Sequence, residues 1–132
     1  MKLAFIGLGT MGGAMAANLQ KAGHEVRAND LRKVEGFKHW HPSAAEAARD
    51  CDLVFTSLPG PDDVDKVGAE LKAVLHPGAV WFDLSTNSPQ RVRRLHDELA
   101  KQGVRFLDAP VSGGASGAKS GKLALEVVSR RL

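Results

Sequence analysis

The sequence contains few of the residues that cross-link or anchor a protein. It has one cysteine, Cys51, and no tyrosine in 132 residues, and aromatic side chains make up 5% of the chain. A single cysteine excludes an intramolecular disulfide and fits a reducing compartment, so we expect a cytoplasmic location. The first residues already favour a strand and leave no room for a secretory signal. No run approaches the roughly 18 apolar residues of a membrane span, so no membrane contact is expected.

The sequence shows neither a block of like charges nor a cluster of metal-ligating residues. The chain carries 18 basic and 15 acidic residues without a charge block. Its densest basic cluster, Arg91, Arg93 and Arg94, fits the solvated face of a helix. Because aromatic residues are not interleaved with basic ones, no nucleic-acid partner is expected. The five histidines are scattered, with His39 and His41 as the one close pair, so no metal site is predicted.

Hydrophobic patterning predicts one α/β domain over residues 1–132. The 43% hydrophobic content is enough for a single core. Strands are predicted at 2–6, 25–28, 53–57, 79–83, 104–107 and 123–128, and helices at 10–22, 43–49, 62–75 and 89–102. This alternation favours a doubly wound parallel sheet covered by helices on both faces. The least regular segment, 31–42, is predicted to form a short helix followed by a loop.

A glycine-rich turn carries the strongest functional signal. The first predicted strand runs directly into Gly7-Leu8-Gly9-Thr10-Met11-Gly12, and a helix-favouring run follows. In this strand-turn-helix setting, Gly7 allows a sharp turn, Gly9 allows a diphosphate to approach the main chain, and Gly12 allows close packing of helix on strand. The alternative is a glycine turn without a ligand. The pattern favours a dinucleotide bound at the helix amino terminus, in a Rossmann-type domain.

Asp30 is the candidate ligand of the adenosine ribose. It lies 18 positions past Gly12, close to the spacing of about 20 at which a carboxylate accepts hydrogen bonds from the ribose hydroxyls. That position favours NAD over NADP. Arg32 and Lys33 keep NADP open, because together they could hold a 2′-phosphate. A carboxylate that only closes a turn is the structural alternative.

Three loops follow predicted strands at the edge of the sheet where ligands bind. Ser57-Leu58-Pro59-Gly60 and the segment 83–89 are placed to touch a cofactor, although Pro59 and Gly60 could simply end a strand and Ser88 could simply cap a helix. In the segment 108–118, the Ser112 hydroxyl and the Gly113 and Gly114 amides could form an anion site. A surface loop without a ligand remains the alternative there.

Taken together, these motifs resemble one family. The pairing of the segment 7–16 with Asp108-Ala109-Pro110-Val111-Ser112-Gly113-Gly114 is similar to the β-hydroxyacid dehydrogenases, the group of 3-hydroxyisobutyrate dehydrogenase and tartronate semialdehyde reductase, which have a 6-phosphogluconate dehydrogenase-like NAD-binding domain. The Leu58-Pro59 and 83–86 segments fit the same pattern. The resemblance covers essentially the whole chain.

The resemblance implies an NAD(P)-dependent oxidoreductase of small 3-hydroxyacids or their aldehydes. It implies that Leu58, Pro59 and Thr86 line the nicotinamide half of the cofactor site. It also implies that Ser112, Gly113 and Gly114 hold the substrate carboxylate. A non-catalytic dinucleotide-binding module is the other function that the sequence leaves open.

The chain departs from the family after Gly121. Its last residues read Glu126-Val127-Val128-Ser129-Arg130-Arg131-Leu132, with an unexpected glutamate and a pair of arginines. The family's catalytic lysine, a nearby asparagine and an all-helical domain have no counterpart, so no catalytic residue is assigned. Lys119 and Lys122 are more simply explained as solvated loop cations than as substitutes. We therefore expect an incomplete domain that binds cofactor, turns over little by itself, and self-associates or forms a homo-oligomer through an uncovered strand edge at 123–128.

Overall fold

The computed structural model describes residues 1–109 and the backbone of the short strands at 111–112, 124–125 and 128–129. The strands and helices within this part of the chain are, in order, β1 (Lys2–Ile6), α1 (Thr10–Lys21), β2 (Glu25–Asn29), β3 (His39–Trp40), α2 (Ala44–Ala48), β4 (Leu53–Thr56), α3 (Pro61–Val74), β5 (Val80–Asp83), α4 (Pro89–Ala100), β6 (Arg105–Asp108), β7 (Val111–Ser112), β8 (Ala124–Leu125) and β9 (Val128–Ser129).

The strands form a sheet whose order is β3-β2-β1-β4-β5-β6-β9. The pairs from β3 to β6 are parallel, and β9 pairs antiparallel to β6. From β3 to β6 this is the order of a Rossmann-type doubly wound sheet, as predicted. The chain winds outward in both directions from β1 and β4, so a crevice opens between their carboxyl ends.

Helices cover both faces of the sheet. On one face, α2, α3 and α4 pack against residues of β1, β4, β5 and β6, and Trp81 and Phe106 meet there edge to face at 4.6 Å between ring centroids. On the other face α1 packs against β1 and β2, and Phe5, Phe55 and Phe82 stack in a row across β1, β4 and β5. Aromatic residues, although few, are thus concentrated in the core.

The helix ends carry residues that commonly cap helices. Gly23 lies just past α1 with a positive φ of 100°, the conformation that ends helices. The Ser43 hydroxyl accepts the Glu46 amide at 3.1 Å, and the Ser88 hydroxyl accepts the Arg91 amide at 3.2 Å. These contacts satisfy amides at the starts of α2 and α4.

The prediction for the segment 31–42 was wrong. Turns and bends take the place of the expected short helix, and His39–Trp40 pair with β2 as a strand. The pairing was missed because two residues are too short to show a period. Of the predicted strand at 123–128, the structure describes the backbone of 124–125 in β8 and of 128 in β9, and the other three residues lie outside the described part.

Two properties of the described residues bear on function. None of the helices in this part of the chain combines the length and the apolar character that crossing a bilayer requires. Nor do the same residues bring together three or more histidine, cysteine, aspartate or glutamate side chains in a way that could hold a metal ion.

Candidate cofactor-binding site

A cleft of about 270 Å³ lies at the carboxyl ends of β1 and β4, where the winding direction of the sheet changes. Ligands of open α/β sheets bind at this position. The cleft is lined by Gly7, Gly9, Thr10, Met11, Gly12, Asp30, Ser57, Leu58 and Pro59. Eight of these nine residues were predicted individually as site residues from the sequence, and Ser57 belongs to the loop 57–60 that was predicted to touch a cofactor.

The glycine turn is held in a shape that larger residues cannot adopt. Gly7 has a φ of 95°, and a Cβ there would overlap the carbonyl oxygen of Ser57. A Cβ on Gly12 would overlap the carbonyl oxygen of Gly7. Both glycines therefore allow the turn to pack closely against β4 and against the start of α1.

The amino terminus of α1 presents free amides to the cleft. Gly9 precedes the helix and provides no side-chain cap, and the Gly13 amide donates to the Gly9 carbonyl at 2.7 Å. The amides of Thr10, Met11 and Gly12 precede that bond and have no partner within the helix. A Cβ on Gly9 would meet no protein atom within 4 Å, so it would occupy the open cleft itself. This cradle fits a diphosphate, because the amides and the helix dipole both favour an anion.

Asp30 lies just past β2 and contributes its carboxylate to the same cleft. Its Oδ2 atom accepts the Leu8 amide at 2.7 Å, and its Oδ1 atom accepts the Leu31 amide at 2.7 Å. Each carboxylate oxygen has a second lone pair that remains available for a hydroxyl. The carboxylate thus fixes the glycine turn and faces the place where a ribose would lie. Arg32 and Lys33 are exposed beyond it.

Two of the predicted cofactor residues, Leu8 and Thr86, are not among the residues that line this cleft. The side chain of Leu8 is buried in the core on the α1 side of the sheet, so Leu8 reaches the site only through its amide. Thr86 is exposed in the loop after β5, outside the lining of this cleft, and its assignment to the nicotinamide half stays a prediction.

Buried polar groups at the ends of β4 and β5 form a network that the sequence did not reveal. Asp83 is fully buried, and its Oδ1 atom accepts the Thr56 hydroxyl at 3.0 Å and the Ser85 amide at 3.1 Å. Its Oδ2 atom accepts the Asn87 side-chain amide at 3.2 Å. Burial raises the pKa of Asp83 above its ordinary value, and the hydrogen bonds from Ser85, Asn87 and Thr56 oppose that shift.

The candidate substrate residues fall at the edge of the described region. Ser112 lies in β7, whose backbone pairs with Ala124. Gly113, Gly114, Lys119 and Lys122 lie outside the described residues. The role of Gly113 and Gly114 in binding a substrate carboxylate, and the interpretation of Lys119 and Lys122 as solvated loop cations, therefore remain predictions from the sequence.

Known proteins match the chain along nearly its full length. The family described as the NAD binding domain of 6-phosphogluconate dehydrogenase matches residues 2–129. An NAD-dependent L-serine dehydrogenase of Pseudomonas aeruginosa is 39% identical over 135 residues, which cover 96% of this chain and 45% of the relative. The mitochondrial 3-hydroxyisobutyrate dehydrogenase of Drosophila melanogaster is 37% identical over 132 residues, covering 95% and 41%.

A solved structure gives the same result. Mycobacterium tuberculosis 3-hydroxyisobutyrate dehydrogenase, determined with L-serine, superposes with a TM-score of 0.88 at 38% identity, covering 95% of this chain and 45% of that one. The chain spans less than half the length of these three relatives. It belongs to the family of the NAD binding domain of 6-phosphogluconate dehydrogenase, as its sequence motifs predicted.

Proposed function

We propose that residues 1–132 act as the cofactor-binding domain of a nicotinamide-dependent oxidoreductase of small 3-hydroxyacids. The observation that carries the proposal is the cradle of free α1 amides beside Gly9, with the Asp30 carboxylate in the same cleft. A dinucleotide requires an anion site for its diphosphate and an acceptor for its ribose, and this cleft offers both.

Each part of the cleft has a distinct role in this proposal. The amides at the start of α1 bind the diphosphate, and Asp30 binds the adenosine ribose. Leu58 and Pro59 line the nicotinamide half together with Thr86 from the neighbouring loop. The bound nicotinamide supplies hydride transfer, and the protein supplies binding and orientation.

The substrate class is inferred from the relatives. The names of two relatives contain L-serine and 3-hydroxyisobutyrate. Both compounds have a carboxylate and a hydroxyl on the third carbon. We assign the carboxylate of such a compound, or of its aldehyde, to Ser112, Gly113 and Gly114. The assignment rests on the motif that contains these three residues.

A non-catalytic dinucleotide-binding module is the second candidate, and one observation favours it. Asp30 is the only ionisable residue among the described residues that line the cleft. Alcohol oxidation requires removal of a hydroxyl proton, so the proton acceptor has to come from outside this set. Substrate-dependent reduction of NAD⁺ at about 1 s⁻¹ by the 132-residue chain would exclude this alternative.

NAD is proposed as the preferred cofactor. A 2′-phosphate placed against the Asp30 carboxylate would meet a like charge, which disfavours NADP. The test is a titration of the purified chain with NADH and with NADPH, followed by nicotinamide fluorescence. We expect saturable binding of both, about tenfold tighter for NADH. Absence of saturable binding of either would contradict the proposed function, and tighter NADPH binding would overturn the preference.

Two finer statements accompany the proposal. We place the chain in the cytoplasm, because its single cysteine, Cys51, is buried and donates its thiol to the Ala47 carbonyl. We also propose that the chain forms homo-oligomers. Sedimentation velocity over a range of concentrations tests that statement, and one monomeric species throughout would contradict it.

A further inference from the structure

Hydrogen bonds connect the loops that follow β4 and β5 next to the nicotinamide half of the proposed site. Asp83, the last residue of β5, is 0% exposed and stands between them. Thr56, on one side, is the last residue of β4. Ser85 and Asn87, on the other side, lie in the loop that follows β5. The hydrogen bonds that the structure gives the Asp83 carboxylate therefore come from the end of β4 and from the loop after β5.

All hydrogen-bond partners that the structure gives Asp83 are donors. The Thr56 hydroxyl accepts the Trp81 indole N–H at 2.8 Å, so its own proton is directed to Asp83. The Ser85 amide and the Asn87 side-chain amide also donate. A carboxylate accepts from all of them, whereas an asparagine would turn its own N–H₂ group towards a donor.

The network reaches the cleft through Ser85. The Leu58 amide donates to the Ser85 hydroxyl at 2.8 Å, and that hydroxyl is in turn hydrogen-bonded to Asp83. Leu58 lines the cleft directly, so its backbone position depends on a hydroxyl whose orientation is set by Asp83. On the other side, Asn87 holds the end of the tripeptide that contains Thr86.

We propose that Asp83 is a positioning residue that sets the Leu58 and Thr86 loops in the arrangement that receives the nicotinamide half of the cofactor. The proposal rests on the proposed function and assigns to Asp83 no contact with the cofactor. The adenosine half is held elsewhere, by Asp30 and the start of α1, which make no contact with this network in the described hydrogen bonds. Loss of the Asp83 carboxylate therefore weakens one half of the site selectively.

The test compares NADH with ADP-ribose, which has the adenosine, the diphosphate and a ribose but no nicotinamide. Wild type, Asp83→Asn and Ser85→Ala are titrated with each ligand by calorimetry, and with NADH also by fluorescence. We expect Asp83→Asn to raise the dissociation constant of NADH about tenfold and that of ADP-ribose by less than about twofold. Ser85→Ala removes the hydroxyl that connects Leu58 to Asp83 but keeps the Asp83 carboxylate, and it should raise the dissociation constant of NADH relative to that of ADP-ribose by about threefold.

A variant in the core separates positioning from stability. Val104→Ala removes buried side-chain volume before β6, at the end of the strand away from the cleft, and should lower stability without changing the NADH to ADP-ribose ratio. If Asp83→Asn does not fold, Ser85→Ala decides alone. Parallel weakening of both ligands, or no weakening of either, would overturn the proposal. Failure of the wild type to bind ADP-ribose and NADH would instead overturn the proposed function on which it rests.

Discussion

Replacement of Gly9 by alanine should abolish tight cofactor binding while leaving the fold intact. Gly9 has backbone angles of φ −67° and ψ −166°, which alanine adopts without strain. Its Cβ would contact no protein atom within 4 Å beyond its chain neighbours, and Gly9 itself lines the cleft. The added methyl group therefore occupies space that the proposed diphosphate requires and that the protein does not.

The size of the effect follows from the hydrogen bonds that are lost. If the methyl group displaces the diphosphate from two amides, two charge-assisted hydrogen bonds of about 1.5 kcal/mol each are removed. The sum of about 3 kcal/mol corresponds to an increase of about 100-fold in the dissociation constant of NADH. The free energy of unfolding should change by less than about 1 kcal/mol, because the weaker helix cap is offset by reduced freedom of the unfolded chain.

Gly60→Ala is the matched control. Gly60 also precedes a helix, has an extended backbone, and would place a Cβ with no protein atom within 4 Å, but it does not line the cleft. NADH fluorescence titration and urea denaturation should show lost affinity in Gly9→Ala alone and similar stabilities for both variants. NADH affinity undiminished in Gly9→Ala would refute a diphosphate site at this turn.

Three further predictions concern stability. Gly12→Ala should lower the free energy of unfolding by about 2 kcal/mol, because its Cβ overlaps a backbone carbonyl, and an unchanged urea midpoint would contradict this packing. Ser88→Ala should cost about 1 kcal/mol through loss of the α4 cap, measurable by the same unfolding curves. Burial and the nearby Arg27 lower the pKa of His41, so the folded state binds fewer protons than the unfolded one, and stability should fall as the pH drops below about 6.5. His41→Gln should flatten that part of the pH profile, and a profile identical to that of the wild type would disprove the assignment.

The sequence predicted those parts of the site that depend on neighbouring residues. The turn from Gly7 to Gly12 and the cap at Ser88 are local patterns, and the structure has a positive φ at Gly7 and the capping hydrogen bond at Ser88. The sheet order of the Rossmann type followed from the alternation of strands and helices. In each case a few adjacent side chains determine the backbone conformation.

The parts that were missed depend on residues distant in the chain. Thr56 and Asp83 are separated by 27 positions and meet only because β4 and β5 lie side by side. The strand at His39–Trp40 exists because β2 offers it a partner, and its two residues show no period of their own. No pattern in a single segment could have indicated either contact.

The carboxylate of Asp30 is shared between the protein's own turn and the place assigned to a ribose. Any redesign that exchanges it for a neutral or basic side chain, in order to admit a phosphorylated ribose, would also release the Leu8 amide that it now holds. The freed turn would then lose part of the preorganisation on which the neighbouring amides depend. Switching nucleotide preference in this scaffold therefore calls for two coordinated exchanges, one for the new phosphate and one to supply another acceptor for that amide.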